Sequence, residues 1–323
     1  MANSFSNDVE AADALALAYK KLTTEIAKVV VGQEEVVRQI LTGIFCHGHS
    51  LLVGVPGLAK TLLVQTIATS LDLEFKRIQF TPDLMPSDIV GAETLDKERN
   101  FQFIKGPVFA NVILADEINR TPPKTQAALL EAMQENAVTI AGNQYFLPRP
   151  FFVLATQNPI EQEGTYPLPE AQLDRFMFNI LLDYPSYLQE INIVKKTTSE
   201  EISQASKVLS KEEIMGFQQL VRRVPIADNV VEYAVRLCHN TRPGKTGSAL
   251  ANDLLEWGAG PRASQFLVLG AKCNALLNGK YSPDIEDVKA IAKPVLRHRI
   301  VRNFKAEAEG ISVDEVIEKV LAL

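Results

Sequence analysis

The chain has 323 residues, enough for two domains, and its 46% hydrophobic and 22% charged content is ordinary for a globular protein. The formal net charge of -6 argues against a protein that coats duplex DNA with a basic face, so nucleic acid is not an expected partner. There is no apolar run of 18 residues and no signal-peptide pattern at residues 1–8, and the three cysteines are widely spaced, so we expect a cytoplasmic protein that does not insert into membranes.

Two amphipathic helices are predicted ahead of residue 50. Apolar side chains recur at helical spacing over residues 11–28, and again after Gly32-Gln33, where Val36 and Ile40 share one face. Val31 and Gly32 lie between these helices, shortly before a glycine-rich loop. They are candidate contacts of an adenine ring, with plain core packing as the open alternative.

The glycine-rich loop separates the apolar run 50–53 from a helix-like run. The loop and the first residues of the helix are Gly54, Val55, Pro56, Gly57, Leu58, Ala59, Lys60, Thr61 and Leu62. A buried strand, a turn of small residues and a helix start are the setting of a phosphate-binding loop, because inward-pointing N–H groups and the helix N-terminus attract anions. The alternative is a glycine turn without a ligand.

Two side chains of this loop carry the predicted chemistry. Lys60 can reach the terminal phosphates of a nucleotide, and the Thr61 hydroxyl can ligate Mg²⁺, so ATP and Mg²⁺ are the predicted cofactors. Ala59 replaces the glycine that usually precedes the lysine. A methyl group is tolerated there if φ stays negative, so the substitution weakens the match without breaking it.

Further apolar runs predict strands at residues 74–80, 111–115, 150–155 and 177–182. The second and third runs are continuous rather than alternating, which is typical of strands buried on both faces of a parallel sheet. With helices between them, such as residues 123–134, the pattern predicts a doubly wound α/β domain. Residues 92–106 and 137–146 alternate around turn residues and predict two hairpins, which either contact a partner or only decorate the surface.

Polar side chains follow two of the predicted buried strands. Asp116 and Glu117 end one strand, and Asn158 follows the next. In a parallel sheet these positions meet the glycine-rich loop at the carboxyl ends of the strands. Asp116 would then hold Mg²⁺, Glu117 would orient and deprotonate a water molecule, and the Asn158 amide would bond the γ-phosphate or that water. Alone, Asn158 also fits a turn residue before proline.

The composition becomes helical after residue 186. Residues 210–213 and 312–315 fit capping boxes, and Ser282 is predicted to cap a helix that begins at Pro283. We expect a nucleotide-binding α/β domain with two hairpin inserts over residues 1–188 and a smaller α-helical domain over residues 189–323.

Six motifs, in order, resemble those of the MoxR group of AAA+ ATPases. They are residues 54–61, 116–120, 129–133, 155–159, 173–176 and 260–262, and the likeness extends from about residue 31 to residue 302. The resemblance implies the AAA+ P-loop NTPase fold, in which a doubly wound parallel sheet binds the nucleotide and a smaller all-α domain forms a lid.

The resemblance also assigns roles to matching residues. Asn158 matches the first sensor, Arg175 matches the arginine finger supplied to a neighbouring subunit's site, and Arg262 matches the second sensor in the lid. A surface salt bridge is the alternative for Arg175. Gly260 stands where serine is expected, which leaves the local cap before Arg262 in question.

The function implied by this resemblance is Mg²⁺-dependent ATP hydrolysis in a ring, which we expect to be a hexamer. Hydrolysis would remodel or mature a protein client in a chaperone-like way, and by resemblance such clients often carry a von Willebrand factor A domain. Two other classes stay open: a magnesium-chelatase-type or DNA-strand motor subunit, and a nucleotide-gated binding scaffold with negligible turnover.

Overall fold

The computed structural model describes residues 7–95, 97–160, 164–199, 203–245 and 247–323. The helices are α1 (Asp8–Val29), α2 (Glu34–Phe45), α3 (Lys60–Ser70), α4 (Pro86–Val90), α5 (Pro123–Glu135), α6 (Glu170–Leu173), α7 (Tyr187–Thr197), α8 (Lys211–Arg223), α9 (Asp228–Asn240), α10 (Ala249–Leu254), α11 (Pro261–Leu277), α12 (Ile285–Leu296), α13 (Phe304–Ala308) and α14 (Val313–Leu321). The strands are β1 (Ser50–Val53), β2 (Phe75–Gln79), β3 (Gly91–Leu95), β4 (Phe101–Lys105), β5 (Val112–Asp116), β6 (Ala137–Ile140), β7 (Asn143–Phe146), β8 (Phe152–Gln157), β9 (Phe178–Leu181), β10 (Leu255–Trp257) and β11 (Val301–Arg302).

Five strands form the central sheet, in the order β2-β5-β8-β1-β9, and every neighbouring pair is parallel. The register pairs Ser50 of β1 with Leu154 of β8 and with Phe178 of β9. The continuous apolar runs of β5 and β8 are buried along their length. The prediction of a doubly wound parallel sheet is therefore confirmed.

Two apolar cores lie on opposite faces of this sheet. Successive side chains of a strand point to opposite faces, so Val112 and Leu114 belong to one core, whereas Ile113 and Ala115 belong to the other. The first core contains α1, α2, α3 and the helices after residue 210, and the second contains α5. Burial on both faces explains why β5 reads as an uninterrupted apolar run.

The two predicted hairpins are present as β3–β4 and β6–β7. The tip of the second is Ala141-Gly142, at which both residues have positive φ. Phe103 of the first hairpin stacks on Tyr145 of the second, with ring centroids 4.2 Å apart. The hairpins are thus in contact with each other through an aromatic pair.

The C-terminal helices, α8–α14, pack on α1 and α2 as well as on each other. One short antiparallel pair, β10–β11, lies among them in the chain, and the sequence pattern does not predict it. Because α1 and α2 bridge to these helices, the division at residues 188 and 189 stays a prediction. The capping boxes predicted at residues 210–213 and 312–315 are confirmed.

The predicted start of α12 is wrong. The helix begins at Ile285 with Asp284 as its N-cap, and the Asp284 and Asp287 side chains bond each other's backbone N–H groups. A carboxylate cap with a reciprocal partner satisfies two N–H groups at this end, whereas Ser282 donates its hydroxyl to the carbonyl of Pro225.

Two expectations concern export and membranes. Residues 1–6, on which most of the signal-peptide prediction rests, lie outside the described residues. In the described ranges, no helix combines the length and the apolar character needed to cross a bilayer. The cytoplasmic location stays a prediction.

His49, the residue before β1, is buried beside the start of β8. Its Nδ1 accepts a hydrogen bond from the N–H of Val153 at 3.0 Å, and its Nε2 lies 3.1 Å from the carbonyl oxygen of Met133. The neutral tautomer with the proton on Nε2 satisfies both contacts, and a second proton on Nδ1 would oppose the Val153 N–H. Burial lowers the pKa of His49 to about 4.

We expect His49 to make the fold acid-sensitive. A folded-state pKa below the unfolded value gives stability that is present at neutral pH and is lost as the pH falls from about 6.5 toward 4. Between pH 7 and pH 5 the loss from this group should be about 2 kcal/mol. Urea titrations of the wild type and His49→Gln at both pH values measure it, and an equal pH dependence in the two proteins would contradict the assignment.

Candidate functional site

The glycine-rich loop joins β1 to α3, and α3 begins at Lys60. Gly57 has φ of 86° and Ala59 has φ of 54°, so both lie in the left-handed region. Ala59 therefore does not meet the condition of a negative φ, under which its methyl group would be tolerated without strain. The chain turns into α3 through Ala59, and the left-handed conformation of a non-glycine residue costs roughly 1–2 kcal/mol, which the surrounding structure must offset.

The Lys60 side chain is bonded to the loop that precedes it. Its Nζ donates a hydrogen bond to the carbonyl oxygen of Gly54, so the ammonium group folds back over the loop. Partial burial lowers the pKa of Lys60 from its ordinary value, while the negative charges of Asp116 and Glu117 act in the opposite direction. The three charged groups are thus close enough to influence one another.

Asp116 is the last residue of β5 and Glu117 follows it, and both are hydrogen-bonded to Thr156 of β8. The Thr156 hydroxyl donates to Oδ1 of Asp116 at 2.7 Å and accepts from the N–H of Glu117 at 2.8 Å. Asn158, directly after β8, is 6% exposed, and its Oδ1 accepts from the N–H of Ile160 at 3.2 Å. The structure brings these predicted residues to one edge of the sheet.

Strand β2 supplies partners that the sequence analysis missed. Arg77 donates from Nε and Nη2 to Oδ2 of Asp116, at 3.0 and 2.6 Å, and Gln79 donates to Oε2 of Glu117 at 2.9 Å. Arg120 lies 3.2 Å from the same Glu117 oxygen. The alternating polar residues of β2 are a weak signal, because only the pairing of β2 with β5 reveals that they face the two acids.

The donor set fits a magnesium ion that is shared with a nucleotide. In the described part of the chain, no three His, Cys, Asp or Glu side chains are grouped as a metal site. Mg²⁺ is usually bound through one or two protein oxygens, with phosphates and water completing its shell. Thr61 at the start of α3 and Asp116 at the end of β5 are the residues that would hold it, with Arg77 giving up Oδ2 of Asp116.

Val31 and Gly32 are half-buried and belong to neither core, and Gly32 lies beside Gln189 of α7. Gly32 has φ of 73°, and a Cβ there would collide with the side chain of Gln189. Gly54 is similarly close to Leu182, where a Cβ would lie 2.8 Å from the Leu182 Cβ. Gln189 and Leu182 are therefore further candidate neighbours of a base, and the sequence pattern does not single them out.

Arg175 lies at the opposite edge of the sheet from the loop. It precedes β9 by three residues, and β9 runs parallel to β1, so Arg175 is beyond the amino ends of the strands, whereas Gly54 is beyond the carboxyl end of β1. The four residues of β1 alone separate the edges by roughly 13 Å. Arg175 lines a cleft of ≈ 560 Å³ with residues of α5 and the β6–β7 hairpin.

The alternative of a surface salt bridge for Arg175 is not seen. Within the ranges that the structure describes, its side chain forms no ion pair. Arg262, in the first turn of α11, donates to Oδ2 of Asp174 at 3.0 Å and so lies beside the segment that carries Arg175. At Gly260, its N-cap, α11 has no side-chain cap. The sensor role of Arg262 stays a prediction.

Comparison with known proteins identifies the family to which the chain belongs. The model for the ATPase family associated with various cellular activities (AAA) matches residues 49–178, and the model for the AAA lid domain matches residues 247–320. The chain is 44% identical to the chaperone MoxR1 of Mycobacterium tuberculosis, over 92% of this chain and 79% of that one. It is 40% identical to the uncharacterized protein YeaC of Bacillus subtilis, over 94% and 92%.

A solved structure agrees with this fold. It is the crystal structure of a provisionally assigned ATPase from Cytophaga hutchinsonii, with a TM-score of 0.90 and 45% identity. The similarity covers 97% of this chain and 96% of the other. The protein MoxR of Methylorubrum extorquens is a more distant relative, 32% identical over 85% of each chain.

We expect the Thr156 hydroxyl to be required for chemistry at the carboxyl edge. Thr156→Val keeps the shape of a buried side chain but removes the bonds to Asp116 and to the Glu117 N–H. Loss of such an orienting group should lower Mg²⁺-dependent hydrolysis by about 10- to 100-fold. Initial rates of phosphate release across Mg²⁺ concentrations measure the effect.

Thr125→Val is the matched control for this variant. Thr125 is also buried, but its hydroxyl donates to the carbonyl of Leu84 and to neither acid. Equal losses in the two variants would show that Thr156 acts only through general stability.

Proposed function

Because the chain belongs to the MoxR-type AAA+ ATPases, we propose that it hydrolyses ATP with Mg²⁺ in a ring whose neighbouring subunits complete each other's sites. One observation carries the proposal. The phosphate-loop lysine and both acids lie at the carboxyl edge of the sheet, while Arg175 lies at the amino edge of the same sheet. Each chain would thus supply the phosphate-binding and acidic groups of one site and the arginine of another.

The carboxyl edge would bind and activate the substrate. The N–H groups of the Gly54–Thr61 loop and the ammonium group of Lys60 would hold the phosphates, and Asn158 would bond the terminal one. Thr61 and Asp116 would hold Mg²⁺, which when bound neutralises charge on the phosphate oxygens. Glu117 would accept a proton from the attacking water.

Gln79 and Arg120 bear on this last step because both contact Oε2 of Glu117. Two donors on one oxygen leave Oε1 of the same carboxylate as the acceptor for a water molecule. Their contacts also restrict the rotation of the side chain, so Glu117 is held in a defined direction before substrate binds.

The amino edge would complete the site of the next subunit. A ring with head-to-tail contacts presents the amino edge of one chain to the carboxyl edge of its neighbour. Arg175 would then place its guanidinium on the transferring phosphate, where an arginine from a neighbour typically accelerates hydrolysis by about 10³–10⁵. The absence of an intramolecular ion pair for Arg175 among the described residues supports this role. We propose a hexamer.

A protein client is proposed on two grounds. One relative is named a chaperone. The β3–β4 hairpin exposes apolar side chains, with Leu95, Phe101 and Ile104 at 59%, 76% and 55% exposure. Such side chains are suited to contact another protein, and the Phe103–Tyr145 pair joins this hairpin to the β6–β7 hairpin. A von Willebrand factor A domain is the proposed client class.

The variant Glu117→Gln tests catalysis against the alternative of a nucleotide-gated scaffold. We expect it to bind ATP as the wild type does and to release phosphate about 10²–10⁴-fold more slowly, because the amide cannot accept the proton of water. Single-turnover hydrolysis and calorimetric ATP binding measure the two properties. Glu232→Gln, on the exposed face of α9, is the control. Negligible turnover already in the wild type would favour the scaffold.

The variant Arg175→Ala tests the shared site. We expect ATP affinity to stay within about twofold, since the residue is remote from its own chain's loop, and kcat to fall by about 10³. Wild-type specific activity should rise with protein concentration as the ring assembles. Steady-state kinetics from nanomolar to micromolar protein measures both. Activity that does not change with concentration, together with a silent Arg175→Ala, would refute the ring proposal.

A further inference from the structure

The segment that carries Arg175 is held by three consecutive residues of the turn that follows α12. Arg297 donates from Nη1 to the carbonyl oxygen of Asn179 at 2.9 Å, and Nε2 of His298 lies 3.0 Å from that of Phe176. Arg299 donates from Nε to Oδ1 of Asp174 at 2.7 Å. We call residues 297–299 the clamp and residues 174–179 the finger segment.

Arg299 makes the largest number of these bonds. Its Nη2 donates to the carbonyl oxygens of Asp174 and Phe176, at 2.9 and 2.6 Å, and its Nη1 donates to that of Met177 at 3.3 Å. One guanidinium group thus bonds the backbone on both sides of Arg175. Because the carbonyls before and after residue 175 are both restrained, the direction in which its side chain leaves the backbone is restrained as well.

The Arg299 side chain is buried, with 2% of its surface exposed, and its charge is paired with Asp174 at 2.7 Å. The guanidinium also lies over the ring of Phe266 in α11, 5.1 Å from the ring centre. A buried arginine with this many partners has a fixed geometry, because any displacement leaves several desolvated donors unpaired. Lysine could not replace it, since it lacks the planar fork that reaches several carbonyls at once.

The clamp is in turn attached to the outer helices. Arg297, at the C-cap of α12, forms a two-bond ion pair with Asp314 of α14, at 2.6 and 2.8 Å. Asp174 of the finger segment also bonds Arg262 in α11. The finger segment is therefore tied to α11, α12 and α14, and a displacement of these helices would move it.

A cavity of ≈ 620 Å³ lies on one side of the clamp, lined by Asp174, Trp257, His298 and Arg299 among others. Within the described residues, Nδ1 of the buried His298 has no hydrogen-bond partner. The clamp therefore borders an open cavity on one side. The hydrogen bonds of the clamp, and not close packing alone, hold the finger segment in place.

We propose that the clamp is the positioning element for Arg175, with Arg299 as its principal residue, so that the C-terminal helices of one subunit set the geometry of hydrolysis in its neighbour. Arg299 does not touch the nucleotide in this proposal and acts only through the finger segment. The proposal deepens the proposed function and rests on it. The competing explanation is that Arg299 only stabilises the contact between the helices and the sheet.

Subunit mixing separates these explanations. Arg299→Lys keeps the charge near Asp174 but loses most of the backbone bonds, so we expect kcat to fall at least about tenfold with the KM for ATP unchanged within about twofold. Glu117→Gln subunits keep an intact clamp and an intact Arg175, but their own nucleotide site is expected to be inactive. In equimolar mixed rings they should raise hydrolysis per Arg299→Lys subunit about fivefold, because half of the neighbours then supply a correctly placed Arg175.

Arg223→Lys is the control, since Arg223 also forms a two-bond ion pair, with Asp8 of α1, and bonds none of the described residues of the finger segment. It should keep wild-type kcat. If Arg299→Lys does not fold, as judged by circular dichroism and ring assembly, Arg299→Gln takes its place under the same criteria, because one amide cannot replace the bonds of Arg299 to Asp174, Phe176 and Met177 together.

The outcomes distinguish failure of the clamp proposal from failure of the proposed shared site on which it rests. Wild-type kcat in the clamp variant overturns the proposal. So does a loss of activity that Glu117→Gln subunits fail to restore while they do restore Arg175→Ala, because the clamp is then only structural. If Arg175→Ala itself is not restored, the shared site of the proposed function is wrong, and the clamp proposal fails with it.

Discussion

The parallel direction of all five central strands is the constraint on which this structure depends. It collects the carboxyl ends of β1, β5 and β8 at one edge, so the loop, the two acids and Asn158 meet there although they are far apart in the chain. The same constraint sends the segment before β9 to the other edge. A residue of that segment cannot serve the loop of its own chain, and this is the physical basis for proposing an assembly.

Charge balance explains the composition of the carboxyl edge. Asp116 and Glu117 lie close to Lys60 and are also paired with Arg77 and Arg120. Unpaired carboxylates at a half-buried edge would be costly, and the arginines offset that cost before any ligand arrives. A bound triphosphate adds further negative charge, so Mg²⁺, Lys60 and a neighbour's Arg175 are the cations that the proposed reaction requires.

The C-terminal helices do more than cover the sheet. In the turn after α12, the buried Arg299 is bonded to the segment that carries Arg175, and Arg297 links that contact to α14. Hydrogen bonds to backbone carbonyls are directional, so they transmit orientation better than apolar packing does. In the proposed ring, this arrangement makes the state of one subunit's helices relevant to hydrolysis in the next.

Much of the fold was predictable because local patterns carry it. Continuous apolar runs predicted the buried strands, alternation predicted both hairpins, and capping boxes predicted the starts of α8 and α14. The start of α12 was mispredicted because two adjacent capping candidates compete, and the reciprocal bonds of Asp284 and Asp287 decide between them. Likewise, the left-handed φ of Ala59 is set by the turn into α3 rather than by alanine's own preference.

The sequence by itself determined which residues end the buried strands, and therefore which side chains are candidates for binding phosphate and metal. Only the tertiary structure decided their neighbours: that β2 lies beside β5 and brings Arg77 and Gln79 to the acids, and that Arg262 and Arg299 hold Asp174 at the far edge. The reason is that strand order and helix docking depend on contacts between residues far apart in the chain. Periodicity and spacing report only on neighbours along it.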